Sequence, residues 1–232
     1  MPLTGFIKGI DLYKDRKYVE SGLKILDEVL GGGLETGLFY MFYGSRRVNE
    51  FLYSLIGKTL VSEDTGILIV DCDNWFNPYQ LNRRLCSSTL LKKIQVARAF
   101  NWEHFKHIIS SRLIAASPRS IILIVAGVNT LFLNDVKSKG DYEGFLKVIT
   151  VLRRIAAADN IVLATYHPNN TPIPHFVTQY PQIHILMDDT GKRLSLTRIK
   201  HPSLPTQRVF SQQKIRGKIF LTLDNFKGDY NG

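Results

Sequence analysis

Through its first 166 residues the chain alternates between two hydrophobic patterns, and then the pattern changes. Continuous apolar runs rich in branched and aromatic residues, "GLFYMFY" (37–43), "GILIVD" (66–71), "RSIILIVAG" (119–127) and "NIVLATY" (160–166), suit strands covered on both faces. "KIQVARA" (93–99) reads as a further strand. Between these runs lie segments with helical spacing. "SGLKILDEVLGG" (21–32) repeats apolar residues at Leu23, Leu26, Val29 and Leu30 and stops at glycine; "VNEFLYSLIGKTL" (48–60) turns Phe51, Leu52, Leu55 and Ile56 inward. "NPYQLNRRLC" (77–86), "NWEHFKHIISSRLIAA" (101–116) and "DYEGFLKVITVLRRIAAA" (141–158) complete the helical set. Such alternation predicts βαβ units joined by right-handed crossovers: a mainly parallel central sheet flanked by helices, with 119–127 as its central strand. Beyond residue 166 the segments "QIHILMD", "KRLSLTRIK", "QRVFS" and "KIFLTLDNF" are short, alternating and separated by turns. They predict an antiparallel β extension of the same sheet. The Pro- and Asn-rich stretch "HPNNTPIPHFVTQYPQ" (167–182) between the two regimes reads as a long loop. The organisation expected is one core domain over residues 21–232, preceded by a segment over residues 1–20.

Composition adds a partner class. The 232 residues suffice for one well-buried core, and 30 Lys and Arg against 20 Asp and Glu give a net charge of +10. The basic residues gather at 14–17, 46–47, 83–93 and 192–218, a distribution that favours polyanionic partners, nucleic acid first. No apolar run reaches membrane-spanning length and the N-terminus lacks a secretory pattern, so a cytoplasmic location without membrane association is expected. Cys72 and Cys86 make neither a disulfide framework nor a zinc site; His104 and His107 share a helix face without a third ligand, and no metal site is expected. Trp75 and Trp102 read as core, Asp71 as structural, and Arg83, Arg84, Lys92 and Lys93 as solvated surface.

"MFYGSRRVNEF" (41–51) has the order strand, loop, helix of a phosphate loop, yet no Gly-Lys-Ser/Thr follows its glycine. Taken together, the segments resemble the ATPase core of the archaeal RadA recombinases and their paralogs, within the RecA-like superfamily, from about Phe6 onward. "SGLKILDEVLGGGLETG" is similar to that family's signature ahead of the phosphate loop, and "LIVDCDNWFNP" to the strand carrying its catalytic glutamate and F-x-P. "QVARAFNWEH" is similar to its V-A-R-A-x-N segment and "GKRLSLTRIKHPSLPTQRVF" to its terminal hairpin. The resemblance implies a RecA-like core, and the departures from it imply lost chemistry. The Gly-Lys-Thr of the family falls on Val48, Asn49 and Glu50, or, slid by one residue to begin the loop at Gly44, on Asn49, Glu50 and Phe51. Either way the cation and the hydroxyl are missing, and Glu50 repels phosphate. Ala126 and Gly127 stand where the family has the Asp-Ser of its metal-binding strand, and Asp73 stands at the catalytic glutamate. No hydrolysis of magnesium-bound ATP and no resident cofactor are expected. Arg46 and Arg47 keep enough positive charge to leave weak nucleotide binding open. A weak, atypical ATPase is the alternative.

Function is therefore sought on surfaces. In RadA-like proteins two loops hold DNA. The first corresponds to "NDVKSKGDYEG" (134–144) with Lys137 and Lys139, the second to residues 167–178 with His167, Asn169, Asn170, His175 and Phe176. On the C-terminal strands Lys192, Arg193, Arg198, Lys200 and Arg208 form a basic ribbon, in which alternation puts Arg198 and Lys200 on one face, a pattern suited to sequence-independent contact with single-stranded DNA. "GFIKGIDLYKDRK" (5–17) resembles the recombinase linker whose F-x-x-A motif docks on a neighbouring subunit, with Phe6 as the aromatic and Gly9 in place of alanine. With Met1 so close ahead, the small helical domain that precedes this linker in full recombinases is expected to be absent. These features point to a non-catalytic paralog that binds DNA and recombinase subunits, its own copies included. The competing reading is a scaffold that regulates a partner ATPase without touching DNA.

Overall fold

The computed structural model describes residues 17–44, 48–62, 65–85, 87–116, 120–135, 139–167, 175–189 and 194–210. A two-stranded ribbon of β1 (Tyr18–Val19) and β2 (Leu34–Glu35) encloses α1 (Lys24–Leu30), which ends at Gly31 in the left-handed conformation (φ 77°). Then follow β3 (Phe39–Gly44), α2 (Val48–Ser62), β4 (Gly66–Asp71), α3 (Pro78–Leu85), a short 3-10 turn (Leu90–Lys93) and β5 (Ile94–Arg98). α4 (Trp102–His107) runs through a π turn (Ile108–Leu113) into α5 (Ile114–Ala116). β6 (Ile121–Ala126), α6 (Thr130–Asp135), α7 (Lys139–Ala156), β7 (Ile161–Tyr166), α8 (His175–Gln179), β8 (Ile183–Asp189), β9 (Leu194–Lys200) and β10 (Gln207–Phe210) complete the chain.

Eight of the strands make one sheet in the order β10-β9-β8-β3-β7-β6-β4-β5. The pairs from β8 through β5 are all parallel, and β9 and β10 add antiparallel. This is the mainly parallel α/β sheet that the strand–helix alternation predicts, with its antiparallel end. Every residue of β3 and of β7 is buried. Tyr40 and Phe42 point into a core shared with α1 and α2, while Phe39, Met41 and Tyr43 point into a second core shared with α4 and α7. Phe51, Leu52, Leu55 and Ile56 of α2 are buried in the first core, as their spacing predicts.

The structure differs from the sequence reading in five places. β8 pairs in parallel with β3 rather than belonging to the antiparallel extension. Its alternation comes from one-sided burial: Leu186 is exposed while Ile185 and Met187 are buried, and strand direction leaves no such mark. The centre of the sheet is β3 and β7, with β6 one strand further out. The long loop contains α8, and the segment after β6 contains α6. Tyr18–Val19, within the expected leading segment, pairs with β2. Residues 1–16 and "KIFLTLDNF" lie outside the described residues.

One buried histidine ties the sheet to the α8 turn. His184 on β8 accepts from the Tyr43 hydroxyl at Nδ1 (3.0 Å) and donates from Nε2 to the Pro181 carbonyl (3.1 Å). Burial, with Lys200 nearby adding to it and the bond to Pro181 opposing it, pushes its pKa down to about 4 from 6.5. Between those two values the unfolded chain takes up a proton that the folded chain refuses. Stability is therefore complete above pH 6.5 and falls as the pH drops through that window. The loss attributable to this residue is on the order of 3 kcal/mol by pH 4. Urea unfolding of the wild type and His184→Gln at several pH values is expected to show a shallower acid decline in the variant. Equal slopes in the two proteins would contradict this assignment.

Candidate functional site

The C-terminal ends of β3, β4, β6 and β7 converge on one buried cluster of polar side chains. Asp71, the last residue of β4, is fully buried and shapes the loop that follows. Its Oδ1 accepts from the backbone N–H of Asp73 (3.2 Å) and Trp75 (3.0 Å), and its Oδ2 from the N–H of Phe76 (3.0 Å) and the Arg98 guanidinium (3.3 Å). Tyr53 of α2 fixes the far side: its hydroxyl donates to the Trp75 carbonyl (3.2 Å) and accepts from the Asn77 N–H (2.8 Å), and its ring packs on Trp75. The role of Asp71 is structural, as the sequence suggests. It aims the next carboxylate, Asp73, back across the strand ends.

Asp73 rests on Gly127, the residue after β6. A Cβ at Gly127 would lie 2.2–2.3 Å from the carboxylate atoms, and the glycine has φ 70°, so only glycine gives this seat. Three side chains from three other elements bind the carboxylate. The Thr130 hydroxyl of α6 donates to Oδ1; Asn49 Nδ2 of α2 (3.1 Å) and His167 Nε2 (2.8 Å) both donate to Oδ2. The directions are fixed by a relay that starts at the backbone. The Gly127 N–H donates to Thr165 Oγ1 (2.8 Å), the Thr165 hydroxyl donates to Asn49 Oδ1 (2.8 Å), and Asn49 is left with its amino group toward Asp73.

The histidine is fixed in the same way. Its Nδ1 lies 3.1 Å from the Gly44 carbonyl, which only accepts, so Nδ1 carries a hydrogen. Nε2 meets a carboxylate oxygen at 2.8 Å, so a proton lies on that line as well. Burial pushes the Asp73 carboxyl up. The hydrogen bonds from His167, Thr130 and Asn49, with the charge of His167, outweigh it and hold the group below the usual carboxylate range. The contact is buried, with His167 4% exposed. Asn129, also buried, clamps the backbone of His167 by accepting from its N–H (2.9 Å) and donating to its carbonyl (2.7 Å).

Of the residues expected at a nucleotide site, the structure brings Gly44, Asn49, Asp73 and the Ala126–Gly127 corner together. Val48 is buried beside them, and a Cβ at Gly44 would strike the Met187 carbonyl (2.4 Å) and Val48 Cγ2 (2.5 Å). Glu50 lies in the first turn of α2; Arg46 and Arg47 lie outside the described residues. Thr130, Thr165, Asn129 and the true position of His167 were not visible in the sequence. They sit 38 or more positions from their partners in these side-chain contacts, and no local spacing joins them.

The expected DNA-contacting residues separate. His167 is buried and bonded on both ring nitrogens, so its assignment to DNA is corrected. Arg198 is corrected as well: it is 3% exposed, and its guanidinium donates to the carbonyls of Pro205 (2.8 Å) and of Val29 in the last turn of α1. Lys200 is exposed, yet its ammonium donates to the carbonyls of Thr178, Gln179 and Pro181 (3.3, 2.9 and 2.9 Å), closing the C-terminal end of α8. Arg198 and Lys200 therefore do not form one basic face, because each turns onto a different set of backbone carbonyls. Arg208 is exposed, with its guanidinium 4.9 Å from the Phe210 ring centroid. Lys139 opens α7 and Phe176 lies in α8. Lys137, Asn169, Asn170, Lys192, Arg193, Phe6 and Gly9 lie outside the described residues. At the opposite edge of the sheet, β5 borders a mainly apolar groove of about 430 Å³ lined by Phe76, Pro78, Leu91, Ile94, Val96 and Arg98, and Phe100, two residues past β5, is 74% exposed.

Comparison with known proteins identifies the architecture. The chain is 28% identical to the DNA repair protein RAD51 of Mycosarcoma maydis across 53% of this chain and 40% of that protein. It is 26% identical to the DNA repair and recombination protein RadA of Cenarchaeum symbiosum across 74% of this chain and 48% of that protein. A DNA repair protein RAD51 homolog of Arabidopsis thaliana is also 26% identical, across 59% of this chain. The matches span less than half the length of each of these relatives. The Rad51 family model matches residues 14–171, which takes in every strand from β1 to β7 and all the members of the Asp73 cluster, and the chain belongs to the Rad51 family.

Proposed function

We propose that this chain is a non-catalytic paralog within the Rad51 family that acts in DNA recombination or repair by binding single-stranded DNA and other recombinase subunits. The observation that carries the reading is the engagement of both Asp73 oxygens by side chains of the protein. A magnesium-bound phosphate needs oxygen ligands with free lone pairs and a nearby cation. Here both carboxylate oxygens accept from protein side chains, Asn49 holds an amide where phosphate chemistry calls for Lys or Thr, and Ala126 offers no ligand. The described residues do not fit a magnesium-bound nucleotide. The net charge of +10 and the names of the relatives support DNA as the partner. Among the described residues no helix is long and apolar enough to cross a membrane, and a cytoplasmic site of action accords with this reading. The scaffold reading draws on β5, the outermost strand at its end of the sheet among the described residues, where the groove and the exposed Phe100 offer a protein-binding surface.

Purified protein is expected to release no phosphate from magnesium-bound ATP above a protein-free blank. Turnover that co-elutes with the protein and disappears in Asp73→Asn would contradict the non-catalytic assignment.

Binding to a labelled single-stranded oligonucleotide is expected to be independent of sequence and sensitive to salt. If about four phosphates are neutralised, log affinity falls against log salt with a slope of roughly −3. Charge reversal at Lys137, Lys139, Arg193 and Arg208 together is expected to abolish binding. Undiminished affinity in that variant would put the DNA elsewhere, and no binding by the wild type would favour the scaffold.

Phe6 is expected to anchor the chain on a recombinase subunit or a second copy. Truncating a buried aromatic anchor typically costs about 2 kcal/mol, roughly thirtyfold in affinity. Phe6→Ala should therefore lose co-elution with the partner at an unchanged melting temperature. A large fall in melting temperature would mean instead that Phe6 packs on its own core.

A further inference from the structure

The helices that cover the second core present an outer face whose charge is one-sided. α4, with its π turn and α5, buries Trp102, Phe105 and Ile109, and α7 buries Phe145, Ile149 and Leu152 in that core. The two approach closely in their N-terminal halves, where a Cβ on Gly144 would lie 3.5 Å from the Trp102 ring and 3.3 Å from the Lys106 side chain. Acidic residues stop there. Glu103 is paired with Lys106 (2.6 Å), and after Glu103 and Glu143 neither helix carries another Asp or Glu as far as Ala116 and Ala156. The next carboxylate after α7, Asp159, lies in the turn before β7. Arg112, Lys147, Arg153 and Arg154 are exposed beyond that point, with the exposed Ser110 and Ser111 hydroxyls on the same helix as Arg112. Among the described residues none of the four cations has an ion-pair or hydrogen-bond partner.

Helix-end electrostatics accounts for Arg153 and Arg154 in the last turn of α7, since cations there complement the helix dipole. It does not account for Lys147 in the middle of the helix, or for the lack of carboxylates over the rest of both helices. The positive field also reaches further. Burial, and then the charge of Arg153, holds the Lys200 ammonium below the usual lysine range. Clustered like charges repel one another, and a bound polyanion relieves that repulsion. No Phe, Tyr or Trp occurs from 107 to 116 or from 147 to 156. The face therefore offers neither the aromatic anchor of a protein interface nor a stacking platform for unpaired bases. Guanidinium groups and serine hydroxyls on two packed helices suit a rigid, densely charged phosphate backbone. Lys147 and Arg154 stand roughly 10 Å apart along α7. Over that length one strand of a duplex carries about three phosphates.

We propose that the C-terminal halves of α4–α5 and α7 form a contact surface for the phosphate backbone of duplex DNA, carried by Arg112, Lys147, Arg153 and Arg154. α7 ends at Ala156 and β7 begins at Ile161, so the surface lies at the end of the sheet opposite the Asp73 cluster. It goes beyond the function proposed above and does not depend on the single-strand contacts named there.

The test uses the full chain as wild type and as the quadruple variant Arg112→Gln, Lys147→Gln, Arg153→Gln and Arg154→Gln. In a control that removes the same charge, the exposed Lys17, Lys24, Lys92 and Lys93 become Gln. Affinity for a labelled duplex and for a labelled single strand is measured across a salt series, with melting temperatures to show that each variant is folded. The quadruple variant is expected to lose about tenfold or more in duplex affinity, with a slope of log affinity against log salt shallower by about 3. Its single-strand affinity should fall less, and the control should stay within about threefold of the wild type for the duplex. If the quadruple variant melts early, Lys147→Gln with Arg154→Gln carries the same test at about half the change in slope. Unchanged duplex affinity in the quadruple variant, an equal loss in the control, or no duplex binding by the wild type would each overturn the surface. Equal losses for duplex and single strand would overturn duplex DNA as its occupant. Displacement of the duplex by polyglutamate at matched charge would assign the face to an acidic protein segment instead. Single-strand binding by the wild type decides the function proposed above separately.

Discussion

A carboxylate buried at the C-terminal ends of parallel strands has to be neutralised, and much of this structure around the strand ends follows from how Asp73 meets that requirement. Taking an ionised group out of water is costly unless opposite charge and hydrogen bonds replace the solvent. Asp73 is held by the protein itself, through hydrogen bonds from His167, Asn49 and Thr130 and a seat on Gly127 that only glycine can provide. The surrounding loops conform to that arrangement. Asp71 shapes the turn that delivers Asp73, Asn129 holds the backbone of His167, and Thr165 orients Asn49. On the proposed reading, a site held by its own side chains in this way has no place for a phosphate-loop lysine or a metal-binding aspartate.

The fold was largely legible because burial on both sides of a sheet leaves unbroken apolar runs, and "GLFYMFY", "RSIILIVAG" and "NIVLATY" became β3, β6 and β7. What sequence could not carry was strand direction. The alternation of "QIHILMD" records a half-open face on β8, which either direction would produce, and only the pairing with β3 shows that the strand is parallel. The six residues of α6 are too few for periodicity to distinguish from a loop.

The site was legible by half. Asn49, Asp73 and Ala126 drew attention because they interrupt a recognisable order of segments. Their partners did not, because the contacts are long-range: His167 lies 94 positions from Asp73, and Thr165 lies 116 from Asn49. A histidine in a Pro- and Asn-rich stretch looks like a surface residue until its ring is seen between two strand ends. Arg198 shows the same limit, since alternation assigns it to a face while burial depends on α1 lying against β9 and offering the Val29 carbonyl. Charge counted along a chain overstates charge available to a partner, and the basic ribbon shrinks once Arg198 and Lys200 turn inward onto backbone carbonyls.

The central claim is that charge at this site is balanced without a metal-bound ligand, and the magnesium dependence of nucleotide binding tests it most directly. Calorimetric titration of ATP into the protein, once with magnesium and once with a chelator, separates the cases. Any binding through Arg46 and Arg47 is expected to be equally weak in both, because Thr130, Asn49 and His167 already hold the two oxygens of Asp73. Magnesium-dependent tightening that disappears in Asp73→Asn would show the carboxylate free to serve a metal, and would contradict the internal pair.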